Sequence, residues 1–192
     1  MIVGLGNPIK QYNNSRHNIG SWYIQELVKV HNKNLKIEKK FFGYISKIYI
    51  NNKMLLLLIP NIFMNISGKS VFCMSSFYNI HIDEILIVHD ELDLLPGEIK
   101  YKYGTGHNGH NGLRNIKYVF GKNIFFSKIS IGIGRPIIKK DISSFVLSPP
   151  TATENILIKK SIKKIVFMTD QIIQSIFKKK LLNKSFYIDL IN

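Results

Sequence analysis

Five side chains of this protein have the types that acyl chemistry needs, and each falls where a strand or loop is expected to end. Asn7 follows an apolar run that begins at Ile2, and His17 comes ten residues later. Asn65 follows the leucine-rich run Met54 to Ile59, and Asp90 follows the run Ile85 to Val88. Asn111 lies just past glycines in the stretch YKYGTGHNGHNGLRN, Tyr101 to Asn115. A neutral histidine is suited to take a proton near pH 7. A carboxylate on its far nitrogen would fix the tautomer and stabilise the imidazolium formed during reaction. Asparagine amides donate and accept, which suits a peptide group and a developing oxyanion. No serine or cysteine is placed as a nucleophile, so water is the expected attacker and acyl-bond hydrolysis the expected reaction. The same residues have a plainer account: His17 capping its own helix and the asparagines serving in turns. Spacing alone leaves both open.

An open α/β sheet places ligands beyond the carboxyl ends of its strands, so the elements must gather these residues on one side. Ile2 to Leu5 reads as a strand stopped by Gly-Asn-Pro. A helix is expected from about Ser15, its N-cap, with Ile19, Trp22, Tyr23, Leu27 and Val30 at helical spacing. Gly43 to Ile50, Asn51-Asn52 and Met54 to Ile59 read as a hairpin ending at Pro60. Ser67 opens a second helix with Val71, Met74, Phe77 and Tyr78 inward. Ile85 to Val88 should be a strand ending at His89-Asp90. Ile99, Tyr101 and Tyr103 alternate with lysines, giving a strand with one basic face. Leu113, Ile116 and Val119 mark a short helix near Gly121, and Ile129, Ile131 and Ile133 another strand. After Pro149-Pro150, Thr151 and Glu154 have capping-box spacing. The helix they open carries Ile158, Ile162, Ile165, Ile172 and Ile176 on one stripe, with Lys159, Lys160, Lys163 and Lys164 largely on the other. The expectation is one α/β domain over residues 1–192, a mixed twisted sheet surrounded by helices. Its catalytic core should end near residue 150, with a helical segment over about 151–180.

Other motifs fail on spacing. Gly4-Leu5-Gly6 lacks the third glycine of a dinucleotide turn, a position held by Ile9, and Ser67-Gly68-Lys69-Ser70 lacks the glycine of a phosphate loop at Phe63. His107 and His110 would need a third zinc ligand from elsewhere, and no metal or cofactor is expected. In HDELD, Asp90 is expected to be the one functional carboxylate, with solvated neighbours. The single cysteine, Cys73, excludes an internal disulfide framework and reads as core filler. The opening MIVGLGNP is not a signal peptide and the longest apolar run is too short to span a membrane, so a cytoplasmic protein is expected. The net charge of +15 points to a polyanionic partner, although adenine- and thymine-rich codons also produce lysine-rich chains.

The segments GLGNP, YNNSRHNIG, KFFGY, FMNISGKS, HDELDLLPG, GHNGHNGLRN and IGIGRP, in this order over about residues 3–136, resemble the signature segments of the bacterial peptidyl-tRNA hydrolases. The resemblance implies a monomeric, metal-independent esterase that cleaves the bond between a peptide and the terminal ribose of tRNA. By position it implies His17 as general base and Asp90 as its orienting carboxylate. Asn7, Asn65 and Asn111, with Tyr12 and Met64 nearby, would bind the peptide, and His110 would support the site. Lys102 belongs to the expected tRNA surface. Ser130 stands where the family commonly carries a phosphate-binding arginine, so Lys128, Arg135 or Lys139 is expected to compensate. Thr105 and Asn108 replace glycines of the family's loop and should stiffen it. The competing reading is an RNA-binding relative without catalysis, which has no need of the His17 and Asp90 pair.

Overall fold

A computed structural model describes residues 1–8, 12–137, 141–177 and 185–187. Its centre is a mixed sheet in the order β2-β3-β4-β1-β5-β7-β6-β8. The strands are β1 (Ile2–Gly4), β2 (Lys36–Glu38), β3 (Gly43–Ile50), β4 (Lys53–Pro60), β5 (Leu86–Glu91), β6 (Ile99–Gly104), β7 (Phe126–Gly132) and β8 (Ser185–Tyr187). The four central strands β4, β1, β5 and β7 are mutually parallel. The flanking pairs are antiparallel.

Alternation along the central strands divides the apolar residues between two cores. Ile2, Leu57, Leu86 and Val88 pack with Tyr23, Ile24 and Leu27 of α1 (Ile19–Val30) and Ile158, Ile162 and Ile165 of α5 (Ala152–Phe177). Val3, Leu56, Leu58 and Ile87 pack on the other face with Val71 and Met74 of α2 (Ser67–Phe77) and Leu113 and Ile116 of α3 (Asn111–Phe120). A short α4 (Ile142–Leu147) precedes α5. Parallel strands covered on both faces explain why the sequence shows unbroken apolar runs there.

The hairpin turns at Asn51 and Asn52, both at positive φ (49° and 61°). That is the backbone a two-residue primed turn requires, and asparagine tolerates it. The capping box forms: the Thr151 N–H donates to Glu154 Oε2 at 2.7 Å and the Glu154 N–H to Thr151 Oγ1 at 3.3 Å.

Three local expectations need correction. Ser15 stands at the N-cap of a 3-10 turn, Arg16–Asn18, but its hydroxyl caps nothing and is buried with no partner among the described residues. Phe77 is 57% exposed rather than inward. β5 does not end at His89-Asp90 but runs one residue further, to Glu91, because β7 continues to pair with it as far as Glu91↔Gly132.

Close approach of α1 to the sheet sets the depth of the site. A Cβ on Gly20 would collide with the Val88 carbonyl, and one on Gly4 with the Gly20 carbonyl. Only glycine lets the turn that precedes α1 come down beside β5.

Candidate active site

The turn Arg16–Asn18 projects three consecutive side chains in three directions. Asn18 reaches back to β1: the Asn7 N–H donates to its Oδ1 at 2.8 Å, and its Nδ2 donates to the Asn7 carbonyl at 3.0 Å. His17 meets Asp90, with Nδ1 at 2.9 and 3.0 Å from the two carboxylate oxygens. Both are buried, 6% and 4% exposed. An ionised carboxylate only accepts, so Nδ1 carries the proton and Nε2 keeps its lone pair.

Asp90 accepts a second imidazole. His110 Nε2 lies 3.0 Å from Asp90 Oδ1. Its Nδ1 accepts from the backbone N–H groups of Gly112 and Leu113 at 3.1 and 3.3 Å, capping α3. Since Nδ1 accepts, the proton sits on Nε2. One carboxylate therefore orients two rings whose centroids are 4.8 Å apart. His89 closes the cluster from within β5. Its Nδ1–H donates to the Asp90 carbonyl at 2.7 Å, and its Nε2 accepts from the Ser130 hydroxyl at 2.9 Å.

Burial opposes charge on His17, but the Asp90 anion and its hydrogen bond outweigh it and raise the imidazole pKa above 6.5. Burial works against the Asp90 charge too, yet His17 and His110 hold its carboxyl far below the usual range. His89 is pushed down to about 3, by burial first and then by His110, and it stays neutral.

His17, Asp90 and His110 also bring ligand-type atoms within 4.8 Å of one another, the one such trio among the described residues. To coordinate a cation, His110 Nε2 would have to lose its proton to Nδ1, which already accepts two backbone N–H groups. The trio fits a hydrogen-bonded relay better than a metal cage.

His17 and Asp90 open into a cleft of about 490 Å³ that is also lined by Asn7, Met64, Asn65 and Asn111. The structure thus brings together every expected substrate-binding residue except Tyr12. Tyr12 is not among the lining residues, and its carbonyl accepts from Ser15. Asn7 Oδ1 is already engaged by the Met64 N–H at 2.9 Å, so what Asn7 offers a ligand is its amide N–H₂. Asn65 and Asn111 are exposed. Phe63, Leu92 and, from α4, Ile142, Val146 and Leu147 supply an apolar wall. A larger groove of about 840 Å³ runs between α1 and α5 past Trp22, Lys159 and Lys163. It holds no histidine and no buried carboxylate, so the chemistry is assigned to the smaller cleft.

Two expectations about charge are revised. Glu91 is not solvated but 6% exposed. Its Oε2 accepts from Asn108 Nδ2 at 2.7 Å and its Oε1 from the Asp93 N–H at 3.2 Å. Asn108, at φ 45°, thereby ties the glycine loop to β5, which gives the expected stiffening a physical form. Lys128 is 3% exposed rather than on a phosphate-facing surface. Its ammonium donates to the carbonyls of Gly104 and Gly106 at 3.0 and 2.6 Å. Burial, with Lys102 and Lys117 adding repulsion, pushes its pKa down to about 8.

Of the other basic residues, Lys102 is exposed on β6, Arg135 pairs with Asp93 at 2.5 Å, and Lys139 lies outside the described residues. Ser130 is buried against His89. Sequence reasoning missed Asn18, His89, the Asn108 to Glu91 bond and the α4 wall. Only the wall left a signal, the four-residue spacing of Ile142 and Val146.

A mixed α/β sheet that presents a histidine with a charged acceptor, amide groups and no placed nucleophile defines a hydrolase that activates water. The family model for peptidyl-tRNA hydrolase matches residues 1–186, and the chain belongs to that family. A peptidyl-tRNA hydrolase of Buchnera aphidicola from Acyrthosiphon pisum is 60% identical over 162 residues, covering 84% of this chain and 92% of the relative. One from Proteus mirabilis is 45% identical over 179 residues, covering 93% and 92%. The crystal structure of peptidyl-tRNA hydrolase from Acinetobacter baumannii superposes with a TM-score of 0.87 at 39% identity, covering 94% of this chain and 91% of that one. Among the described residues no helix is long and apolar enough to cross a membrane.

Proposed function

We propose that this chain hydrolyses the ester bond of peptidyl-tRNA, releasing peptide and free tRNA, and that it acts as a monomer in the cytoplasm. The observation that carries the reading is the buried His17 to Asp90 bond opening into a carboxamide-lined cleft, in a member of this family. His17 Nε2 takes a proton from water, which attacks the ester carbonyl. Asp90 stabilises the imidazolium that forms, and His110 fixes the carboxylate from its other side. The Asn7, Asn65 and Asn111 amides hold the peptide group and the oxyanion. The ribose oxygen leaves after protonation by the imidazolium. The tRNA meets the exposed basic face that includes Lys102, with Arg135 as a further contact. A free aminoacyl ester carries an ammonium that leaves the amide-binding groups unpaired, and such mismatches discriminate by orders of magnitude.

The test is release of the acyl group from N-acetylated aminoacyl-tRNA, with the unblocked ester as control. His17→Ala should reduce turnover by about 10²–10⁴ while leaving the protein folded. Full activity of that variant, or loss of wild-type activity on adding a chelator, rejects the mechanism.

A further inference from the structure

Arg16 is a buried charge beside the site that the proposed mechanism does not use. Its side chain is 5% exposed and points away from His17, into the junction between α4 and α5. One terminal nitrogen, Nη1, donates to Ser148 Oγ and the Pro149 carbonyl, both at 2.8 Å, and at 3.4 Å to the carbonyls of Phe145 and Ser148. The other, Nη2, meets Glu154 Oε2 at 2.6 Å. The guanidinium also stacks on the Phe145 ring, 4.1 Å from its centroid. Even the main chain joins in, as the Arg16 N–H donates to the Ser148 carbonyl at 3.1 Å.

These contacts have a consequence for the cleft. Its sheet side carries Asn7, Asp90 and the glycine loop, while its apolar wall is α4, through Ile142, Val146 and Leu147. α4 is a helix of six residues, too short to hold its own place. Its C-terminal end is fixed by Arg16, and Arg16 is adjacent in the chain to His17. The turn itself has no side-chain cap from Ser15, so its position rests on what Arg16, His17 and Asn18 grip.

We infer that Arg16 is a positioning residue for substrate specificity: it holds the α4 wall at a set distance from the His17 imidazole, so that an apolar side chain next to the scissile ester packs on Ile142, Val146 and Leu147. This inference rests on the reading of the cleft as the peptidyl-ester site. The rigid fork of arginine serves five acceptor atoms across α4, α5 and the link between them. A lysine would keep the charge but could not reproduce that geometry.

The experiment compares kcat/KM for N-acetylphenylalanyl-tRNA and N-acetylglycyl-tRNA. With both amino acids placed on one and the same tRNA by chemical acylation, these esters share the tRNA and the amide and differ in the group that would touch the wall. In the wild type the phenylalanyl ester should be preferred. Arg16→Lys should reduce that preference by about tenfold, the scale of losing one apolar contact in a pocket, mostly through KM for the phenylalanyl ester. Mere loss of folded protein lowers both esters equally and leaves the ratio unchanged. Should Arg16→Lys not fold, Ser148→Ala and Glu154→Gln remove partners from the far side of the junction and should move the ratio the same way by less. An unchanged ratio in a folded Arg16→Lys, or in both milder variants, overturns the inference. Absence of acyl release from both esters by the wild type would instead reject the function reading.

Discussion

Replacing Asp90 with asparagine removes one charge and almost no volume, which isolates what the anion does. In the native cluster His17 Nδ1 lies 2.9 and 3.0 Å from the carboxylate oxygens. Two unit charges about 3 Å apart, at an effective dielectric of about 20, attract with on the order of 5 kcal/mol. The amide oxygen would recover part of this, and a hydrogen bond to a charged group is worth about 1.5–3 kcal/mol. Taking about 3 kcal/mol as the loss in stabilising the imidazolium, turnover should fall by about 10²-fold. The pH profile carries the sharper information. Activity needs neutral His17, so it rises with pH through the His17 pKa, which in the native protein stands above 6.5 because Asp90 outweighs burial. In Asp90→Asn burial remains and its opponent is gone, so the acid limb should move below 6.5 even as the plateau drops. The assay is kcat/KM for N-acetylated aminoacyl-tRNA from pH 5 to 8 for both proteins, with thermal unfolding as the control for folding. An acid limb that stays in place, or moves upward, refutes the coupling of these two groups.

Four further substitutions test groups outside the His–Asp pair. Asn108→Gly removes the bond to Glu91 while relieving a left-handed asparagine, so local opening of residues 105–110 should become easier by about 1–2 kcal/mol. Amide hydrogen exchange there should be about tenfold faster, and an unchanged rate would show that the bond does not hold the loop. Lys128→Met should also speed exchange at the loop but leave the salt dependence of tRNA affinity unchanged, because its ammonium is spent on Gly104 and Gly106. Lys102→Ala should lower the slope of log affinity against log salt by about 1, and the reverse pattern would return Lys128 to the tRNA surface. Gly20→Ala drives a methyl into the Val88 carbonyl and should cost about 3 kcal/mol, seen as a lower unfolding midpoint. A native-like midpoint would mean that α1 can back away from the sheet freely.

Where side-chain period decided an element, the sequence was a sound guide. The apolar runs at Ile2, Met54 and Ile85 became central strands, because a strand covered on both faces must be apolar at every position. Asn51-Asn52 marked its turn because few residues tolerate two consecutive positive φ angles. Thr151 and Glu154 marked a helix start because their bonds are local in the chain. The resemblance of the segments around His17, Asp90 and the three asparagines was enough to name a chemistry for them.

What the chain order could not carry were the relations between elements. β5 runs on past Asp90 to Glu91 because its neighbour β7 offers a partner there, a fact absent from the residues of β5 themselves. Lys128 was expected to stand in for the phosphate-binding arginine missing at Ser130, yet the loop beyond β6 folds over it and takes its charge. Glu91 was found buried for the same reason, under Asn108. Arg16 lies more than 130 residues from Ser148 and Glu154 along the chain, and nothing in its neighbours foretells that junction. Local pattern fixes which face a residue shows, because backbone geometry repeats over a few residues. Which charge is desolvated, and by whom, depends on elements that meet only when the chain has closed on itself.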